Sequence, residues 1–381
     1  MRAGAGKASP QISSPPVLAV RCVSLSAVRH ALPVVGNRVA AAAEPPIGPA
    51  GDLFAADQLL AQARWSETIK LLLPLAESSR ATGDSRTFVL AALRIGRARS
   101  RLEHHAAAAE ILRSALAASQ ELNDPALAAD VLHYLGVAHY RTGDLSVSRE
   151  FFDEALRIID DLDLRDRRGG IYIELGNQAY GQQDYSTAES RYASALGQPL
   201  VLEDRLRALC NLSLVRCDSG RFDAAIEPAQ EASRLAEREQ ALPHLASAGL
   251  ALLGRARAGR GELTEGLRLM DGAIERDRAR GDRLRLATTL LFRAEALEHA
   301  GKFRISEADY LEAHRISTER SSPRDVAQAA LGLARIAAAE GRNTEARRWA
   351  TEGLRAAERS EGKGLAKNAK ELLDRLSPPT S

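Results

Sequence analysis

Aromatic side chains make up only 4% of this chain, and tryptophan and methionine each occur twice in 381 residues. Sheet sandwiches and barrels draw on aromatic and β-branched residues to fill their faces, so the shortage argues against them. Hydrophobic residues still reach 45%, with Ala and Leu prominent beside Arg and Glu, which is the composition of packed helices. Charge of one sign is also lacking: 52 Lys and Arg face 50 Asp and Glu, a net +2. Such a balance argues against a strongly basic nucleic-acid binder, so no direct nucleic-acid contact is expected. No apolar run approaches the roughly 18 residues of a membrane span. There are three cysteines. Cys210 and Cys217 fall on one expected helix about 10 Å apart along its axis, too far for a disulfide or a shared metal ion. They read as small packing residues in a reducing compartment.

Residues 1–51 stand apart. Arg2, Lys7, Arg21, Arg29 and Arg38 face the single acid Glu44 over the first fifty residues, and Ser, Pro, Val and Ala dominate without helical periodicity, so the stretch is expected to be a disordered leader or extension. Its composition is that of an organelle transit peptide, and Val39 to Ala43 supplies small residues of the secretory cleavage type. Arg21, Arg29, His30 and Arg38 interrupt the apolar core that a secretory signal needs. The readings are therefore a removable leader, with an organellar, secreted or periplasmic destination, and a non-functional extension of a cytoplasmic protein.

The remaining chain repeats itself. Asp130 to Asp161 reads as two amphipathic helices joined by a tight turn at Thr142, Gly143 and Asp144. Aligned on Gly136, the series Ala56, Gly96, Gly136, Gly176, Ser213, Gly254, Ala294 and Ala334 has intervals of 40, 40, 40, 37, 41, 40 and 40 residues. A second small-residue column runs Thr68, Ala108, Ser148, Ala188, Ala225, Gly266, Ser306 and Ala346, and a third runs from Leu75 through Ala115 and Ala155 to Gly353. Small residues recur where helices touch closely. Gly143, Gly220, Gly261, Gly301 and Gly341 fill one turn column, as expected where a helix ends in a left-handed residue. A pair of short helices cannot bury its own apolar face, so eight such units predict one stacked solenoid over residues 52–360.

The first unit, 52–80, carries Pro74 inside its second helix and suits a terminal cap. Asp124 and Pro125 read as an N-cap followed by a first-turn proline. The 37-residue interval is expected to come from a shorter connection marked by Gly197 and Pro199, with an effect on the local superhelical angle. Residues 361–381 form a capping helix, Leu365 to Leu376, and a tail ended by Pro378 and Pro379.

Motifs that carry chemistry are lacking. Gly4 to Ser9 lacks phosphate-loop spacing, and Gly259, Gly261 and Gly266 follow a helix rather than a strand. His104 and His105 fall at a turn, with no metal-ligand spacing elsewhere, and Arg280, Gly281 and Asp282 connect two repeats. No Ser or Cys sits in a nucleophile motif. No catalytic residue, metal or cofactor is expected.

Leu135-Gly136, Leu175-Gly176 and Leu253-Gly254 on first helices, with Ser148-x3-Phe152, Ala188-x3-Tyr192 and Ser306-x3-Tyr310 on second helices, resemble the tetratricopeptide repeat signature over about residues 52–360. Two features depart from it: the period is 40 rather than about 34, and the proline that usually closes each repeat is mostly missing. Lengthened repeats of this kind are similar to those of maltose-regulator-type activators and kinesin light chains. The resemblance implies an all-α, right-handed superhelical solenoid of eight helix-turn-helix repeats with a C-terminal capping helix, the first helix of each pair lining a concave groove. Its groove positions, carried onto this sequence, include Arg97, Arg101, His133, Tyr140, Arg141, Asn177, Tyr180 and Arg255. The front of the groove is then basic with interleaved aromatics, suited to an extended or helical segment with acidic side chains. The Lys-and-Asn carboxylate clamp of some members is not reproduced, because Ile173 stands where the Lys is needed. The implied function is a non-catalytic scaffold that binds a protein or peptide partner, an acidic segment among the expected ones, in the groove. The alternative is a regulatory or sensor module of a transcription or signalling system, with a small peptide or metabolite there.

Overall fold

The computed structural model describes residues 48–239, 245–360 and 363–376, so the leader expected over 1–51 lies outside the described residues up to position 47. All the described elements are helices. The first pair is α1 (Pro49–Ala61) with α2 (Trp65–Thr82), followed by α3 (Ser85–Arg101) with α4 (His105–Glu121) and α5 (Pro125–Arg141) with α6 (Leu145–Asp161). Next come α7 (Arg165–Gly181) with α8 (Tyr185–Leu196), and α9 (Leu202–Asp218) with α10 (Phe222–Glu239). The series ends with α11 (Ala246–Gly259) and α12 (Leu263–Arg280), α13 (Arg283–His299) and α14 (Phe303–Glu319), α15 (Pro323–Ala339) and α16 (Asn343–Arg359), and a closing α17 (Lys363–Arg375). Each helix packs on the next, and successive first helices also touch one another from α1 through α17, making a superhelical solenoid with an inner wall of odd-numbered helices. None of the described helices is long and apolar enough to cross a membrane.

The small-residue columns mark where large side chains enter. A Cβ added to Gly96 would lie 2.8 Å from Leu112, one on Gly136 would lie 2.5 Å from Phe152, and one on Gly176 would lie 2.5 Å from Tyr192. These knobs form a second-helix column, Leu72, Leu112, Phe152, Tyr192, Ala229, Met270, Tyr310 and Ala350, each at most 2% exposed. In the second, third, fourth and sixth repeats Gly faces Leu, Phe, Tyr and Met, whereas Ser213 faces only Ala229, and in the seventh Ala294 stands opposite Tyr310, whose ring lies against Gly332 instead. The serines add hydrogen bonds between the paired helices. Ser148 Oγ donates to the Gly136 carbonyl at 2.7 Å and Ser306 Oγ to the Ala294 carbonyl at 2.7 Å.

The turn column is longer than its glycines. Gly143, Gly220, Gly261, Gly301 and Gly341 have positive φ, and so do Ala63, Glu103 and Gln183 at the equivalent turns. Side chains are thus held in the left-handed region in three hairpins because the hairpin geometry requires it. Asp124 accepts from the Leu127 amide at 3.0 Å with Pro125 in the first turn, as its sequence pattern implies. α2 runs through Pro74 without ending.

The 37-residue interval has a different origin from the one expected. The connection 197–201 between α8 and α9 is longer than the three-residue 162–164 link between α6 and α7, and α8 itself is short, 12 residues against 17 in α6. Pro199 has no amide hydrogen to donate and cannot extend the helix, so α8 stops at Leu196. Leu200 then turns inward against Gly169, where a Cβ would collide with it. At the far end, Leu365 and Ala366 of α17 cover Val326, Ala327, Ala356 and Ala357, which makes α17 the cap expected there.

Candidate functional site: the lined channel

The inner wall carries a connected set of charged and aromatic side chains, and each candidate residue falls within it or beside it. Arg97 and Arg101 lie one turn apart on α3, and both bind Glu203 in the first turn of α9, Arg101 at 2.9 Å. The partners are more than a hundred residues apart in sequence, so this is a tie between the second and fifth repeats. Glu203 is 13% exposed, while Arg97 and Arg101 keep 31% and 38% of their side-chain surface. Arg101 also lies 5.7 Å over the Trp65 ring. Burial, followed by the neighbouring Arg207, pulls the Arg101 guanidinium down to about 10.

Arg207 of α9 joins the same cluster, bonding Glu174 of α7 and, at 3.0 Å, Asp204. Burial alone would push the Glu174 carboxyl up, but Arg207 and Arg141 override it and hold the group at about 2. Its other oxygen accepts from Asn177 Nδ2 at 2.9 Å. Asn177 Oδ1 in turn accepts from the Tyr192 hydroxyl and from Asn211 Nδ2, both at 2.9 Å, and the Tyr140 hydroxyl donates to the Asn177 carbonyl at 2.9 Å. Asn177 is therefore a junction whose amide is already engaged.

Further along, the Tyr180 hydroxyl donates to Asp218 at 2.6 Å, and Arg255 bonds the other Asp218 oxygen at 2.7 Å and Glu295 at 2.8 Å. Burial, with Asp218 beside it, raises Tyr180 well above the ordinary phenol range. Arg255 lies 4.6 Å over the Phe292 ring and is only 12% exposed. Arg324 of α15 stands 5.1 Å over the Tyr180 ring, a second contact between distant repeats.

Two candidates differ from the rest. His133 stacks on Tyr134 at 4.9 Å and packs against the Gly170 backbone, where a Cβ would approach its Cε1 at 2.9 Å, so it helps join α5 to α7. Burial pulls its pKa down. Arg141 is exposed and lies 5.7 Å over the Tyr140 ring.

The channel thus differs from a basic strip with free arginines. Glu203, Asp204 and Glu174 share it with Arg97, Arg101 and Arg207, and the sequence pattern did not select those acids, Arg207 or Asn211. Glu174 and Asn211 lie two residues before the small-residue column and Arg207 six before it, outside the positions carried over from the repeat resemblance. Glu203 meets α3 only because the stack curves. Chemically, the arrangement can exchange carboxylates on paired guanidiniums and offers tyrosine faces beside them. Among the described residues, no group of His, Cys, Asp and Glu side chains is placed to hold a metal ion.

Residues 93–162 and 173–240 match the family model described as tetratricopeptide repeat. No curated protein matches the sequence significantly. Among solved structures, the apo form of RapI aligns with a TM-score of 0.54 at 11% identity, covering 86% of this chain and 97% of that one. A Rap protein complexed with Competence and Sporulation Factor aligns at 0.56, again with 11% identity and 86% and 97% coverage. The Cut9–Hcn1 hetero-tetramer of APC/C gives 0.57 at 14% identity, covering 86% of this chain and 56% of that one. At these identities the likeness is one of fold. The two matched segments are tetratricopeptide repeats by sequence, and the helix pairs on either side of them continue the same fold with the same small-residue columns.

Proposed function

We propose that the protein is a non-catalytic scaffold, working in the cytoplasm without a cofactor, whose channel binds a segment of a partner protein bearing acidic side chains. The observation that carries this reading is the pair Arg97 and Arg101 closed on one internal carboxylate, Glu203. A partner Asp or Glu entering the channel can take the same guanidinium fork as Glu203 swings out. One carboxylate replaces another, so the paired charges of the half-buried Arg97 and Arg101 are not left facing each other uncompensated. Arg141, exposed next to Tyr140, offers a further guanidinium, and the tyrosine rings supply broad contact area. Free, buried Cys210 and Cys217 suit a reducing compartment.

A second reading, a regulatory module holding a small peptide or metabolite in the same channel, draws on the Rap neighbour solved in complex with Competence and Sporulation Factor. The first reading is tested by affinity capture with the wild-type chain beside the variant R97Q/R101Q/R141Q/Y140F, after circular dichroism has matched their helix content. Partners held by the wild type and lost by the variant are expected. An identical set of captured proteins would place partner binding on another face.

A further inference from the structure

The convex side of the last repeat carries a feature that the channel does not explain. Along α16, Arg347, Thr351, Arg355 and Arg359 follow one another at four-residue spacing, with Arg348 beside them and Arg375 of α17 at one end. These side chains line a depression of about 1090 Å³. All five arginines are exposed. The same stripe one repeat earlier is Glu307, Leu311, Arg315 and Glu319, and its acids are taken: Glu307 by Arg342 at 2.7 Å, and Glu319 by Arg283 and by Arg315 at 2.8 Å. Two repeats earlier the stripe is Leu267, Asp271, Glu275 and Ala279. The two preceding repeats thus lack the basic stripe of α16, in a chain whose net charge is only +2.

Inside the depression the arginines find little to neutralise them. The one carboxylate lining it, Glu352, meets His314 Nε2 at 2.7 Å. Arg347 donates to the Leu376 carbonyl at 3.1 Å, Arg375 donates to the Glu371 carbonyl at 3.2 Å, and Arg348 reaches Glu345 only at 3.8 Å. Elsewhere the second helices of neighbouring repeats are joined by acid–base pairs: Glu237 with Arg276 at 3.2 Å, Glu312 with Arg278 at 2.7 Å, and Glu352 with His314. Among the described residues, α16 is the last second helix in that series.

We infer that this face of α16 is a second docking surface, separate from the channel, and that its occupant is an acidic helix of a partner protein. Carboxylates four residues apart on a helix repeat about every 6 Å, which matches the step from Arg355 to Arg359 and, taken twice across Thr351, the step from Arg347 to Arg355 along α16. The pairing reproduces the contacts that the solenoid makes between its own second helices, with the partner in the place of the next repeat. A single-stranded nucleic acid is the weaker fit, because such strands need open aromatic platforms for their bases and the nearby Trp349 ring is already taken by Arg348 at 4.8 Å and by His314 at 5.3 Å.

The test uses the full chain and a fluorescein-labelled helical peptide of about 20 residues with Glu at every fourth position, long enough to form helix, followed by fluorescence anisotropy. The wild type is expected to bind the peptide and R355E/R359E to bind it at least tenfold more weakly, and the same loss is expected when R355E/R359E is added to R97Q/R101Q, in which the channel fork is already removed. R355Q/R359Q provides a milder variant, and circular dichroism checks that each variant is folded. Equal binding by R355E/R359E, no further loss when R355E/R359E is added to R97Q/R101Q, or no wild-type binding at millimolar chain would overturn the inference. Tighter binding of a thymidine oligonucleotide than of the peptide would do the same.

Discussion

At the residue scale, the solenoid shows its rules most plainly where one side chain breaks them. The column Ser79, Ser119, Ile159, Ala236, Ser317 and Ala357 is buried and carries no charge, yet Asp277 occupies it in the sixth repeat at 1% exposure. Its carboxylate is met by the Ser247 hydroxyl, with the Thr289 hydroxyl at 3.5 Å, while Arg285 acts on it only as a more distant charge. Burial pushes its pKa up to about 6 from the ordinary 3.8. Because the folded state holds the proton more tightly than the unfolded chain, stability falls as pH rises. The penalty is absent below about pH 4, grows between about pH 4 and 6, and is complete above that, at roughly 2–3 kcal/mol. Asp277→Ser restores the residue type of the column. It is expected to raise the melting temperature at pH 7.5 through a gain of about 1–2 kcal/mol, less than the full penalty because a partnered hydroxyl is disturbed. Thermal melts of both proteins at pH 4 and 7.5 check this, and a gain of equal size at both values would exclude the carboxylate as its source.

At the element scale, the hairpin is what the sequence made legible. Gly136, Ser148, Gly143 and Phe152 read as a close helix pair from their spacing alone, and the structure places Phe152 directly on Gly136. A period in small residues reports contacts within a repeat and between neighbours, and those contacts are the same in every unit. What it does not report is how an irregular unit absorbs a deletion. The 37-residue interval could shorten a loop or a helix, and Pro199 settled it by ending α8 at Leu196. Nor does it reveal left-handed turns at Ala63, Glu103 and Gln183, since those residues carry no local preference for them. The glycine column itself can be tested. Gly136→Ala puts a methyl 2.5 Å from the Phe152 ring, and overpacking of this kind costs about 1–3 kcal/mol. In a Phe152→Ala background, which resembles the Ser213 and Ala229 pair of the fifth repeat, the same substitution is expected to cost less than half as much. Urea denaturation of the four proteins in the cycle measures the coupling. Equal costs in both backgrounds would show that Gly136 is needed for something other than room for the ring.

At the scale of the whole molecule, the contacts between distant repeats change what kind of solenoid this is. A repeat array held only by neighbours behaves as a one-dimensional chain, in which a local defect is felt one unit away. Here Glu203 of α9 binds Arg97 and Arg101 of α3, and Arg324 of α15 covers Tyr180 of α7, so repeats three and four units apart are tied directly. These ties were illegible in the sequence because they depend on the curvature of the entire stack and on no single period. Their worth follows from their setting: Glu203 is 13% exposed and its arginines about a third, so the pairs are partly screened and contribute more than a surface bridge but less than a dry one. Glu203→Gln removes the charge while keeping the shape, and leaves Arg97 and Arg101 repelling one another. Hydrogen exchange is expected to show lost protection in two separated places, the first turn of α9 and the last two turns of α3, with a change of only about 1 kcal/mol in global stability. Faster exchange in α9 alone would mean that the contact is geometric and carries no coupling. Loss in both helices would show that a carboxylate entering the channel at this point can loosen the tie between the second and fifth repeats, so that occupancy of the inner wall is felt by the whole stack.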